Sequence, residues 1–240
     1  MRAGVKKTLK WSGLGLGTLI VLVLAVVCWL LFTTSGARWV AGFATSRFAP
    51  QVSFASLDGT IAGELTVRDF QFKGPPDAAQ IRIAELSVEP TLMMLFSRAL
   101  RIENARVRGL LVILPVQPRP DEPDKPLWVR PPLDIFVDNF ALLDGRIEKG
   151  GEPLFTVRQV DVSAEWHAEE LRIHRLRLLP GDIEGNLDVQ GRVTPAGKLV
   201  RGEIDARWSK VVIPEHLAGR VLHTQGAVRF DGTPEAYALT

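Results

Sequence analysis

The chain has 240 residues, 46% of them hydrophobic, and a formal net charge of +2, a size that fits one or two domains. The charge is uneven: residues 1–40 hold five basic side chains (Arg2, Lys6, Lys7, Lys10, Arg38) and no acidic one, which leaves 24 basic against 27 acidic residues in a slightly acidic body that argues against nucleic-acid binding. The single cysteine, Cys28, lies in an N-terminal apolar stretch, which excludes an intrachain disulfide and a cysteine-based metal site.

That stretch runs unbroken from Trp11 to Phe32. At about 1.5 Å rise per residue it reaches roughly 33 Å as a helix, enough to cross a hydrocarbon core of about 30 Å. Residues 1–40 therefore read as a cytoplasmic stub and a transmembrane anchor, with Trp11, Leu14, Leu19, Leu22, Leu24, Val26, Trp29 and Phe32 facing lipid. The preceding basic residues hold the N-terminus in the cytoplasm, and Trp11, Trp29 and Trp39 suit the two headgroup regions. A cleaved signal peptide is the rival, with Ser35-Gly36-Ala37 as its small-residue site, but the apolar run exceeds the usual 7–15 residues of such segments. Gly13 and Gly17 give a G-x-x-x-G spacing, read here as a small-residue helix entry rather than a packing motif.

Residues 41–114 read as the first part of a β-sheet. Leu65 and Val67 share one parity, then Phe70 and Phe72 take the other; Ile81 and Ile83 give way to Leu86 and Val88. Because a one-residue slip turns a strand's apolar set to the wrong face, bulges or bends are expected at Arg68-Asp69, Ala84-Glu85 and, further on, His174-Arg175. Thr91 to Ala99 breaks the pattern with five consecutive large apolar residues, Leu92 to Phe96, after Pro90. It reads as a two-turn helix near 91–99 that is apolar nearly all round. Such a helix should be buried, plugging the end of the sheet rather than lying on a membrane surface.

Residues 115–132 form a Pro/acid-rich loop that cannot build a core. Residues 133–240 continue the sheet. Ile183 to Val193 alternates apolar and polar for eleven residues, and Val200, Gly202, Ile204, Ala206 and Trp208 repeat the pattern after a turn at Thr194–Lys198. Gly226, Val228 and Phe230 mark a third strand. About a dozen strands are expected in all, paired antiparallel through hairpins. The alternation stops at Glu235–Thr240 in mid-run, so the chain is expected to be the N-terminal part of a longer protein.

No catalytic constellation is present. His167, His174, His216 and His223 lack the H-E-x-x-H spacing of a zinc site, and no G-x-S-x-G motif occurs. The expectation is a non-enzyme with no cofactor and no metal. What the sequence poses is a physical question: where a sheet with one apolar face and almost no helices buries that face. A second sheet, closure into a barrel, and curling into a half-pipe around an apolar guest are the three solutions.

A resemblance selects among them. The anchor followed by Thr33-Thr34-Ser35-Gly36, then Gly59-Thr60-Ile61-Ala62-Gly63, the strand Leu65–Phe72, the apolar run Leu92–Phe96, Ile102–Gly109, the Pro/acid loop and Phe140–Ile147 follow an order that resembles the N-terminal part of the TamB family. That family belongs to the translocation and assembly module of Gram-negative bacteria, and AsmA-like proteins are its nearest confusion. The resemblance implies a mainly β fold: one N-terminal transmembrane helix, then a curved antiparallel half-pipe, or taco-shaped groove, with one short capping helix. It implies a single-pass inner-membrane protein with a periplasmic body, akin to bridge-like lipid-transfer proteins. Its partners are phospholipid acyl chains, the inner membrane and an outer-membrane TamA-like barrel, reached through a C-terminal region outside this chain. The implied function is conduction of phospholipid toward the outer membrane, with a scaffold for outer-membrane protein assembly as the alternative. Under that reading Ile183, Leu187, Val189, Val193, Ile204, Ala206, Trp208, Val228 and Phe230 line the groove. Gly185, Gly191 and Gly202 either widen its floor or mark strand bends.

Overall fold

The computed structural model describes residues 22, 25–48, 51–74, 78–115, 128–196, 199–213 and 221–240. Of the anchor residues above, Trp11, Leu14, Leu19 and Leu24 lie outside this set, as do His216 and most of the Pro/acid loop. Among the described residues no single helix is long and apolar enough to cross a membrane. Instead helix α1 (Ala25–Phe32) meets helix α2 (Thr34–Phe48) at a bend of 89°, and the two together meet the length and hydropathy of a span.

Helix α2 corrects the expectation that sheet begins at 41. Thr33 caps the new helix, its Oγ1 accepting a hydrogen bond from Gly36 N at 3.0 Å. Gly36 lets the two helices touch at the corner: a Cβ there would lie 2.3 Å from Trp29 O and 2.6 Å from Leu30 Cα. The inner face of α2 is anchored by Ala37, which is buried against the first strands together with Leu57.

Twelve strands then form one open sheet among the described residues. They are β1 (Val52–Ser53), β2 (Ser56–Gly59), β3 (Leu65–Lys73), β4 (Gln80–Thr91), β5 (Ala99–Leu114), β6 (Asp134–Lys149), β7 (Glu152–Trp166), β8 (Leu171–Pro180), β9 (Glu184–Ala196), β10 (Leu199–Ile213), β11 (Leu222–Thr233) and β12 (Ala236–Leu239). Short β1 and β2 both pair with β3 along one edge, and from β3 to β12 the spatial order is the chain order. All pairs are antiparallel except β5 with β6, which run parallel. This corrects the expectation of hairpins throughout. The connection from 115 to 133, too polar to pack, is long enough to carry the chain back to the starting end of β5 before β6 begins. Strands β9 and β10 also run further into their turn than expected, with Thr194, Pro195 and Ala196 pairing with Arg201, Val200 and Leu199.

The parity slips have a shared structural cause. Asp69, Ala84, Gly109 and Asp144 are all skipped in the pairing, at the same level of β3, β4, β5 and β6. Asp69, Gly109 and Asp144 have φ of 53°, 65° and 57°. Each left-handed residue rotates its strand by one step, so Phe70, Ile83, Leu110 and their neighbours return to the side of Val67, Leu86 and Val107. At Arg68-Asp69 and Ala84-Glu85 the feature is therefore not a bulge, because both strands skip together and the register is kept. It is a crease crossing several strands, and it ends at β7–β8, where the register shifts between Val157 and Gln159. The site at His174-Arg175 is a true bulge, with the register shifting between Ile173 and Leu176.

The apolar run after β4 departs from expectation. Leu92–Ser97 is a 3-10 helix, η1, with no buried residue. Met93 is 75% and Phe96 90% exposed, so η1 does not plug the sheet. It is a two-turn connection between paired strands β4 and β5, ending on left-handed Arg98, and is too short to fold back over the sheet.

Gly109 gives a direct test of the crease, since a Cβ there would meet Ala84 Cβ at 2.9 Å on top of its positive φ. Gly109→Val should cost about 1–3 kcal/mol in urea unfolding. Gly150 has the same φ sign in the β6–β7 turn but open space around it. Gly150→Val should cost less, and the difference measures the contact within the crease.

Candidate functional site: an uncovered apolar face

The register of the sheet aligns apolar side chains into rows that cross the strands. One row runs Val67, Leu86, Val107, Leu142, Val160, Leu178, Leu187, Trp208, Gly226. The next runs Leu65, Val88, Ala105, Phe140, Val162, Leu176, Val189, Ala206, Val228. A third joins Ile102, Val137, Ala164, Ile173, Gly191, Ile204, Phe230 and Leu239, and a fourth Leu100, Ile135, Trp166, Leu171, Val193 and Gly202. Directly paired residues share a face of a sheet, so each row is one unbroken apolar stripe along the hydrogen-bonding direction.

No second layer covers these rows among the described residues. The buried apolar residues are Ala37, Leu57, Ala99 and Val107, and no large side chain is fully buried. Along β11 burial alternates: Val228 and Phe230 are half-buried, whereas Ala227, Arg229 and Asp231 on the other face are exposed. The apolar side chains are thus screened only by their neighbours in the rows. One local cover exists. Trp128 reaches the apolar side at the end of β7, packing edge-on to Trp166 at 6.4 Å while its Nε1 donates to Ala168 O at 2.8 Å.

Leu187, Val189 and Val193 sit on β9, Ile204, Ala206 and Trp208 on β10, and Val228 and Phe230 on β11, all within these rows. Ile183 does not: it precedes β9 in the turn, and Gly185, at φ 124°, breaks the phase that would have carried it inward. A Cβ on Gly191 would lie 2.3 Å from Glu203 O and 2.9 Å from Ile204 Cα, so the neighbouring backbone comes too close for a side chain. Gly185 and Gly191 therefore mark strand bends. Gly226 makes room for the Trp208 ring, which a Cβ would meet at 2.4 Å. Reading strands singly missed the rows on β3 to β8, where the creases break the alternation.

The opposite face is charged and cross-linked. Arg192 pairs with Glu203 at 2.7 Å, Arg201 with Asp231 at 2.8 Å and Arg101 with Asp138 at 2.7 Å. A recess of about 1000 Å³ between β8 and β11 is lined by Arg175, Asp188, Asp205, Arg207 and Arg229 among others. Val189, Trp208 and Gly226 of the apolar rows also contribute to its lining, and its mixed charges do not suit an apolar guest. Among the described residues no group of three or more His, Cys, Asp or Glu is placed to hold a metal ion.

A family model described as TamB, N-terminal domain, matches residues 23–185, well over half the chain. No curated protein matches it.

A small polar cluster lies at one end of β7 and β8. His174 Nε2 lies 2.9 Å from Glu165 Oε1, His167 Nε2 lies 3.5 Å from Glu165 Oε2, and His167 Nδ1 lies 3.2 Å from Asp134. The hydrogen bond from His174 holds the Glu165 carboxyl below the usual glutamate range against a smaller opposing effect of burial, and His167 adds to the lowering. A lowered folded value contributes stability that is present above the unfolded glutamate value and is lost as pH falls through the folded one. His174→Ala should raise the Glu165 midpoint toward the ordinary range in a carbon-13 NMR titration of the carboxyl. An unchanged midpoint would assign the shift to another source.

Proposed function

Since the chain belongs to the TamB N-terminal-domain family, we propose that it is an inner-membrane-anchored, periplasmic β-groove of a Gram-negative envelope, conducting phospholipid toward the outer membrane. The observation that carries this reading is the set of continuous apolar rows with no second layer over them among the described residues. Acyl chains lie along the rows, in contact with residues such as Leu187, Ile204 and Trp208. Transfer of hydrocarbon out of water is worth roughly 0.8 kcal/mol per methylene, which holds a two-chain lipid without a specific polar contact. Headgroups project from the open side into water. Each step along a row exchanges one apolar surface for a like one, so the chain acts as a conduit and not as an enzyme, with no cofactor.

The second reading, a scaffold for outer-membrane protein assembly with a TamA-type barrel, draws on the sheet edge. An exposed strand edge can accept a client strand by β-augmentation.

The experiment is the double variant Leu187→Asp with Ile204→Asp. These positions lie on the adjacent strands β9 and β10, in the first and third rows, on either side of the Val189–Ala206 row. The variant should lose copurifying phospholipid in native mass spectrometry while its circular dichroism stays that of the parent. Full lipid content in the folded variant would remove the conduit. Crosslinks from a probe on β12 to outer-membrane barrels, with no lipid in either protein, would favour the scaffold.

A further inference from the structure

The corner between α1 and α2 assigns a role to α2. Along α1, Val26, Val27, Trp29 and Phe32 are 45%, 41%, 42% and 65% exposed, and Leu22 before it is 58% exposed, so apolar surface is presented on more than one side. Beyond Thr33 the exposed apolar surface continues around the corner as Trp39 (57%) and Phe43 (52%), one turn apart on α2. Their rings stack with centroids 5.7 Å apart and planes 6° from parallel. The other side of α2 is committed to the sheet. Ala37 is buried, and Arg38 donates from Nε to Leu57 O at 2.8 Å and from Nη2 to Asp58 Oδ1 at 2.7 Å. Arg47, in the last turn and on the Phe43 side, is exposed and has no carboxylate partner among the described residues.

We propose that α2 is an interfacial helix, lying in the plane of the bilayer with the Trp39–Phe43 pair set into the headgroup–acyl boundary of the leaflet facing the sheet. The proposal rests on the reading that α1 and the residues before it stand in the membrane. Given that, the argument is geometric. A helix at 89° to one that follows the bilayer normal lies parallel to the surface, and only one residue separates the two. The exposed face of α2 carries Trp39 and Phe43 with the basic Arg47 one turn further on, a composition that suits the interface of an anionic bilayer. The corner is fixed on both sides: Gly36 abuts the α1 backbone, and Ala62 N in the β2–β3 turn donates to Leu31 O at 3.0 Å. The angle between span and sheet is therefore built into the fold.

Site-directed spin labelling of the full chain tests this. In a Cys28→Ser background, nitroxides at Val26→Cys, Phe43→Cys and Ala227→Cys are compared in phosphatidylethanolamine–phosphatidylglycerol nanodiscs. The expected result is high oxygen and low nickel-chelate accessibility at 26, a partial loss of nickel-chelate accessibility at 43, and full accessibility at 227 on the charged face of the sheet. Trp39→Cys, one turn away, should repeat the value at 43 and guards against a folding defect in either variant. If 26 is shielded while 39 and 43 are as open to the chelate as 227, the interfacial role of α2 is overturned and the anchor reading stands. If 26 is itself open, the anchor reading fails and the proposal falls with it.

Discussion

The structure depends on a single-layer ladder of hydrogen-bonded strands whose apolar side has, among the described residues, no second layer packed on it. In a two-layer domain the interior is closed by side chains from opposing elements. Here only Ala37, Leu57, Ala99 and Val107 are buried among the described apolar residues, and all four are small or medium in size. Cohesion must come from the backbone ladder, from contacts between neighbours in each row, and from ion pairs across the charged face. The exposed ion pairs each add little, so the ladder and the rows dominate. From β3 to β12 each strand pairs only with the strands before and after it in the chain. The sheet is thus quasi-one-dimensional, in the way repeat proteins are, and adding a strand at its edge lengthens the rows without altering what is already built.

The creases explain how such a sheet bends and keeps one apolar face. Bending requires strands to change direction, and a single left-handed residue does this at the expense of alternation. If one strand did so alone, its apolar side chains would pass to the charged side. Asp69, Gly109 and Asp144 make the change at one level, with Ala84 skipped between them, so the rows stay continuous on both sides of the line. Asp and Gly are residue types that tolerate this backbone region.

This accounts for what the sequence did and did not disclose. Strands β9 to β11 were legible because their alternation is nearly unbroken, and the phase slips at Arg68-Asp69, Ala84-Glu85 and His174-Arg175 marked real irregularities. Their nature was not legible. A bulge and a concerted crease leave the same slip in one strand, and only the partner strand tells them apart. The parallel pairing of β5 and β6 was hidden for the same reason, since periodicity within a strand carries no direction relative to its neighbour. Helix α2 left a weak signal: Thr33 as a cap, then Ala37, Val40 and Ala41 at helical spacing. Trp39 and Phe43 on the opposite side blurred it into one continuous apolar stretch with α1. The run Leu92–Phe96 does form the short helix that its lost alternation suggested, but its burial was misread, because apolar content implies burial in a soluble protein, whereas Met93 and Phe96 stand exposed.

Geometry at the first edge connects anchor and face. The corner at Thr33–Gly36 is tied to the β2–β3 turn through Leu31 and Ala62, and past the far end of α2 the chain rejoins β3, with Lys73 N donating to Gln51 O at 2.9 Å. Helix α2 therefore runs from one rim of the sheet toward the other, roughly along the strands. If α1 follows the bilayer normal, the strands lie parallel to the membrane and the apolar rows, which cross the strands, lead away from it. The direction of the proposed lipid path is then set by local contacts at the base: the missing Cβ of Gly36, the Leu31–Ala62 hydrogen bond, and the hold of Arg38 on Leu57 and Asp58. Each later strand adds about 4.8 Å to that path, so the longest rows, which cross the strands from β3 to β11, give a run of roughly 40 Å that is continuous in the register.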